Sequence, residues 1–348
     1  MGLGGGIFIT QNKILPGAYI NFVNATKATA TLGERGVVAI ALPLGKEVGS
    51  VIEITRSDFV KDSATILGKE YTSDDVIALR EIFCNATKVY IYDIGTESTK
   101  TVSDVVAGLE PYDFNILCAY TSEEANVSAY IAAVKMWRED VGKKCQLVVY
   151  NQDAPNHEGI INVVSTVSNT DAPAYALVAW VAGAEAGCNV NASCTNKMYD
   201  GEYTIVVDKT QSQLEACIKA GQIVFHNVYG DIHLLEDVNS LTETTEDKGE
   251  DFKSNQTIRV IDQIANDIAK LFNTKYLGKI PNNASGRVSL WADIVAHHRE
   301  LEEIQAIENF DSSLVTVEQG NTKKAVVVND AVIPVNAMAQ LYMTVVIQ

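Results

Sequence analysis

Three stretches decide the fold: Val89-Tyr90-Ile91-Tyr92, Asn115-Ile116-Leu117-Cys118-Ala119-Tyr120 and Gln146-Leu147-Val148-Val149-Tyr150. Each is a short, continuous apolar run. Such runs suit strands buried on both faces, which belong to parallel sheets flanked by helices. Helical sequence lies between them. In residues 122–141, Ser122 is placed to cap, and Glu123 and Glu124 suit the positive end of the helix dipole. Val127, Ile131, Val134 and Trp137 recur there at helical spacing. Residues 160–164 and 203–207 are further strand candidates. The alternation predicts an α/β domain with a partly parallel sheet over residues 88–240.

Working outward, residues 36–42 and 51–54 are strand-like pieces between turns. One helix covers 73–83, where Ser73 or Asp74 could cap. This predicts a small β-rich domain over 24–87. Downstream, residues 236–257 hold seven carboxylates and read as a surface loop. Two helices follow. In the first, Ile258, Ile261, Ile264, Ala265, Ile268, Leu271 and Phe272 form an apolar face, with Asp262, Asp267 and Lys270 off it. The second covers 288–310 and carries Leu290, Trp291, Ile294, Val295, His298, Leu301 and Ile304. Strand-type runs at 324–328 and 339–348 close the sequence. The expected class is multidomain, α+β and α/β, with a C-terminal α+β domain over 241–338. Extended arms at 1–23 and 339–348 flank it.

The 348 residues carry a formal charge of −17. That excess disfavours nucleic acid and anionic membranes, which need clustered Lys and Arg. It leaves two readings: solubility at high concentration, or a basic partner surface. The N-terminal sequence lacks the basic and apolar regions of a secretory signal. Residues 172–188 are broken by Pro173, Gly183 and Glu185, so direct membrane insertion is not expected. Six scattered cysteines form no CxxC pair and read as reduced thiols.

Catalytic and cofactor machinery is hard to assemble. The five histidines form no metal-ligand spacing. His297 and His298 would point about 100° apart on a helix, one packed and one solvated. Gly2-Leu3-Gly4-Gly5-Gly6 lacks the preceding strand and the Gly-Lys-Ser/Thr of a phosphate loop. No catalytic residue, metal or cofactor is expected, although the strand–helix pattern leaves an α/β nucleotide-binding protein or enzyme as a rival.

The two ends carry a different signal. The last ten residues hold no charged side chain and are rich in β-formers. No further strand follows in this sequence to cover them. Two fates are open: an edge strand of the chain's own sheet, or a strand donated to another chain. Residues 18–22, behind Pro16-Gly17, raise the same question.

Several blocks carry a family resemblance. They are MGLGGGIFITQNKILPGAYINF at 1–22 and DAPAYALVAWVAGAEAGCNVNASCTNKMYDG at 171–201. IRVIDQIANDIAKLFNTKYLGKIPNN follows at 258–283, then GRVSLWADI at 286–294, ELEEIQAIENF at 300–310 and VIPVNAMAQLYMTVVIQ at 332–348. In this order the chain resembles the contractile tail sheath proteins of bacteriophages and phage-tail-like bacteriocins, in their short Gram-positive-host form. The resemblance implies a structural subunit rather than an enzyme. It implies stacked hexameric rings around an inner tail tube, which contract to drive the tube through a bacterial envelope. Other copies of the chain, the tube protein, and baseplate and tail-terminator proteins would be the partners. Synthesis in the bacterial cytoplasm and release in a particle are also implied. Gly17-Ala18-Tyr19-Ile20-Asn21-Phe22 and Leu341-Tyr342-Met343-Thr344-Val345-Val346-Ile347 would then be inter-subunit strands. The helices over 258–310 would face the tube, with Lys270, Lys275, Lys279 and Arg287 as charged contacts. A static tube or shell protein is the remaining rival.

Overall fold

The computed structural model describes residues 32–97 and 100–347. Among these, seven strands form one sheet. They are β1 (Val37–Leu42), β2 (Val51–Thr55), β3 (Lys88–Asp93), β4 (Ile116–Cys118), β5 (Gln146–Tyr150), β6 (Ile160–Val163) and β7 (Gln222–Ile223). Their order is β2-β3-β1-β4-β5-β6-β7. Edge strand β2 runs antiparallel to β3, and every other pairing is parallel. The predicted parallel sheet is therefore present.

Successive residues of each strand serve opposite faces, so a parallel strand needs apolar side chains throughout. In β1, Val38, Ile40 and Leu42 join one core, while Ala39 joins the other. The first core is covered by α1 (Arg56–Leu67) and α2 (Ile77–Phe83) through Phe59, Leu79 and Ile82. The second is covered by α3 (Val102–Leu109) and α4 (Glu124–Met136) through Leu109, Val127 and Val134. Helix α5 (Leu177–Gly187) completes the first face and, Glu185 excepted, is apolar all round because it is buried all round. It lies close to α2: a Cβ on Gly183 would stand 2.3 Å from the Ile82 carbonyl oxygen.

Three local expectations are corrected. Within the small β-rich domain expected over 24–87, the described strands β1 and β2 belong to the central sheet instead. Their partners lie far along the chain, beyond any local pattern. Residues 203–207 form one isolated bridge, Val167 to Ile205, rather than a strand. Helix α4 begins after Glu123 without a side-chain cap, and residues 137–141 are a π turn ending at Gly142.

Beyond the sheet come α6 (Gln211–Lys219) and a hairpin of β8 (Phe225–Val228) and β9 (Asp231–Leu234). Next come α7 (Asn255–Leu271) and α8 (Ala284–Glu303), matching the two predicted helices with shifted ends. Four short strands finish the described chain: β10 (Ile307–Glu308), β11 (Thr316–Gln319), β12 (Val326–Asn329) and β13 (Ile333–Pro334). They pair antiparallel as β10 with β13 and β11 with β12. The six cysteines are free thiols. Among the described residues, no helix is long and apolar enough to cross a membrane.

Candidate assembly site

Helix α7 joins the C-terminal elements to the sheet, and it does so through its polar side. Asn255, Gln256, Arg259, Asp262, Gln263 and Asp267 are all buried, although the sequence places Asp262 and Asp267 off the core face. The reason is a facing surface of complementary groups. Arg138 grips Asp262 with two bonds, 2.6 and 2.8 Å long. Gln146 donates to Asn255 at 2.9 Å. Arg259 Nη2 lies 2.6 Å from Glu185 and 3.2 Å from Asp237.

One guanidinium thus serves two buried carboxylates. Burial, reinforced by the Asp237 charge, pushes the Glu185 carboxyl well up. Burial opposes ionisation of Asp237 too, but Arg259 and the Cys194 N–H hold it below its ordinary range. The two carboxyls are thus driven in opposite directions, Glu185 toward the protonated form and Asp237 toward the ionised one. Glu185, Cys194 and Asp237 lie close enough to share a metal. Arg259 already supplies the cation there. The expected surface loop over 236–257 is likewise corrected at its start, where Asp237, Asn239 and Ser240 are buried.

The nucleotide-binding rival has a definite place to be tested. In doubly wound sheets, ligands bind at the carboxyl ends of the strands where the strand order reverses. Here that point lies at β1, between β3 and β4. The loop after β1 does aim backbone amides inward. They meet Asp93, the last residue of β3, which accepts from the N–H groups of Gly45, Lys46, Glu47 and Gly95 at 2.7–2.9 Å. Burial works against this charge, yet the four amides together hold the carboxyl below its ordinary value. The anion seat is filled by the protein's own side chain.

The C-terminal segment is held tightly and then released. Val335 N–H donates to Ala306 O at 3.0 Å. The Gln256 side chain imitates a neighbouring strand: its Nε2 donates to Val335 O at 3.0 Å and its Oε1 accepts from Ala337 N–H at 2.9 Å. Asn336 also reaches the hydroxyls of Ser254 and Thr257. After Ala337 the described chain forms no helix or strand. Leu341, Tyr342, Met343, Val345, Val346 and Ile347 are 70–93% exposed. These β-type residues have no strand partner within the described chain. Residues 17–22, the other expected strand, lie outside the described residues.

The four basic residues named from the resemblance lie around the α7–α8 connection. Lys270 and Lys279 are exposed. Lys275 is engaged by Asp293 at 2.6 Å, and Arg287 donates to Asn282. Beside them Leu277, Ile280 and Val288 are exposed, which sequence patterning did not single out. The turn-rich residues 278–283 between two helices were the available signal.

His297 and His298 correct another expectation. Both are fully buried. Asp267 and Asp330 each accept one ring, so neither needs water.

The described residues thus combine a doubly wound sheet, a C-terminal part joined to it through α7, and an exposed apolar segment over 341–347. Residues 95–240 match a family model described as the phage tail sheath protein central domain, and residues 247–348 match the phage tail sheath C-terminal domain. The chain belongs to the phage tail sheath family. It is similar to the tail sheath protein of Clostridium phage phiCD119, at 30% identity over 86% of this chain and 80% of the relative. It is also 30% identical to the uncharacterized protein YqbK of Bacillus subtilis, over 72% of this chain but 57% of that relative. The chain thus spans little more than half the length of YqbK. A sheath tail protein from Desulfitobacterium hafniense superposes with a TM-score of 0.80 at 25% identity, covering 92% of this chain and 97% of that one. The anti-feeding prophage helical sheath in its contracted state shares the fold, with a TM-score of 0.69 at 18% identity, covering 95% of this chain and 99% of that one.

Proposed function

We propose that the chain is the structural subunit of a contractile tail sheath. Copies stack as hexameric rings around an inner tube, and contraction drives the tube through a bacterial envelope. The observation that carries this reading is the apolar segment 341–347, presented to solvent beyond a fixed clamp. Donated to a neighbour's sheet, a strand of this length adds a few hydrogen bonds at roughly 0.5–1.5 kcal/mol each. It also buries large side chains worth about 1.5–3 kcal/mol each when fully covered. Repetition around every ring turns one weak link into a strong mesh.

In this reading residues 17–22 supply the second exchanged strand. Lys270, Lys275, Lys279 and Arg287 face the tube, while baseplate and tail-terminator proteins close the two ends. The subunit is made in the bacterial cytoplasm and leaves in a phage tail or bacteriocin. It needs no cofactor and catalyses no reaction. The filled anion seat at Asp93 supports this over the nucleotide-binding reading. Negative-stain electron microscopy of the purified chain is the test. Long hollow sleeves with a wide, short form are expected. Only monodisperse particles at high concentration would overturn the proposal, and sleeves of one fixed diameter would favour a static tube.

A further inference from the structure

Two of the six free thiols meet at the junction between the sheet and α7. Cys188 closes α5, its N–H donating to the Ala184 carbonyl at 2.9 Å. The Cys194 Sγ lies 3.5 Å from that same oxygen. The chain thus leaves α5, turns through residues 189–193 and brings the second thiol back beside the first. The two thiols hydrogen-bond each other. Cys188 is half-buried and Cys194 is fully buried. The loop between them is itself a seat. Ala192 O accepts from Arg259 at 2.7 Å, and Asn191 donates to Ile304 O at 2.8 Å. Val190 packs with Val260 and Leu301. The loop therefore joins α5 to α7 and to the end of α8.

The surroundings give the two sulfurs different roles. The hydrogen bond from Cys194, helped by the charges of Arg259 and Arg35 and opposed by burial, brings the Cys188 thiol down to about 7. Arg35 is fixed there by its own bonds to the carbonyls of Cys188 and Glu185, at 3.0 and 3.2 Å. The thiol–thiol bond and burial together hold Cys194 well above its ordinary value. The thiolate is the attacking form, so Cys188 is the nucleophile and Cys194 the sulfur that resolves the product. Burial pushes the Cys84 and Cys145 thiols up to about 12 and raises Cys118 as well, which leaves those sulfurs unreactive.

We infer that Cys188 and Cys194 are a modification site for low-molecular-weight disulfides, RSSR, which link the pair and close the 188–194 loop into a covalent ring. The Cys188 thiolate attacks one sulfur of RSSR, and RS⁻ leaves and takes a proton from solvent. The Cys194 sulfur then attacks the Cys188 sulfur, its proton passing to the second RS⁻ as that group departs. One RSSR and two protein thiols become one protein disulfide and two RSH. The protein is oxidised and the small disulfide reduced. A reducing cell interior keeps the pair as thiols, and an oxidising exterior supplies the reagent. The ring then holds the seat of α7 against α5. The site belongs to the single folded chain, whatever that chain assembles into.

The test treats the folded full-length protein with excess oxidised glutathione at neutral pH and reads intact mass and peptide fragments. The mass should fall by that of two hydrogen atoms, with a link between Cys188 and Cys194 and the other four of the six cysteines still thiols. Cys194→Ser should instead stop with one glutathione carried on Cys188. Cys188→Ser should leave Cys194 unmodified. In the linked wild type, hydrogen exchange over residues 189–194 should slow roughly tenfold or more, and dithiothreitol should reverse it. A folded chain that keeps all six thiols, while the same chain unfolded in urea reacts, overturns the inference. So does glutathione collecting on Cys84 or Cys217 while Cys188 and Cys194 stay unlinked, or a link that leaves exchange unchanged.

Discussion

Asp93 and Asp262 are both buried acids, yet they fail differently when altered. Asp93 is ionised and held below its ordinary value near 3.8, so its contribution is complete above that pH. It is lost as pH falls through the lower folded value. Asp93→Asn removes an acceptor and leaves buried amides unmet, at about 1–3 kcal/mol. Denaturant titrations should show that gap near neutrality and a narrowing gap below about pH 4. Asp262 depends on one partner, Arg138, 124 residues away. Asp262→Ala strands a buried guanidinium and should cost about 3–5 kcal/mol. The double variant Arg138→Met/Asp262→Leu should recover most of that loss, which a double-mutant cycle measures. The acids were visible in the sequence. Their partners were not, because hydrophobic periodicity marks a core face without saying whether the polar side meets water or an opposite charge.

Elements were read well where their patterns were long. The apolar runs at β3, β4 and β5 were legible because a strand buried on both faces needs no polar alternation. The same reading missed that β1 pairs between β3 and β4, since pairing partners leave no local mark. In the sequence Gly183 reads only as a break in the apolar run 172–188, and the structure supplies its cause in the approach of α5 to α2. Gly183→Ala should destabilise by about 1–3 kcal/mol through overpacking against fixed backbone. Gly249→Ala, where a Cβ meets nothing within 4 Å, should change stability by less than about 0.5 kcal/mol. Thermal melts of the two variants separate close packing from loss of glycine in general. At the chain's end the strand propensity of 341–347 was plain, and the clamp by Gln256 was not. Deleting residues 341–348 should leave the melting temperature of the body within error while abolishing sleeves. Normal sleeves from that deletion would refute strand donation by this segment.

At the scale of the molecule, Asp93 occupies the switch point of the doubly wound sheet, and the proposed sheath function assigns the fold no reaction. Purified protein should therefore release no phosphate from ATP or GTP above a buffer blank. Turnover that follows the pure protein through chromatography would count against the sheath reading. The carboxylate of Asp93 has one further consequence. A bound metabolite leaves when its surroundings are diluted, and a fold that relies on it loosens. An anion on the same chain meets its amides at an effective concentration on the order of millimolar or more, however dilute the surroundings. In the proposed sheath, the seat at Asp93 is therefore filled alike in a particle adrift outside any cell and in the cell that made it.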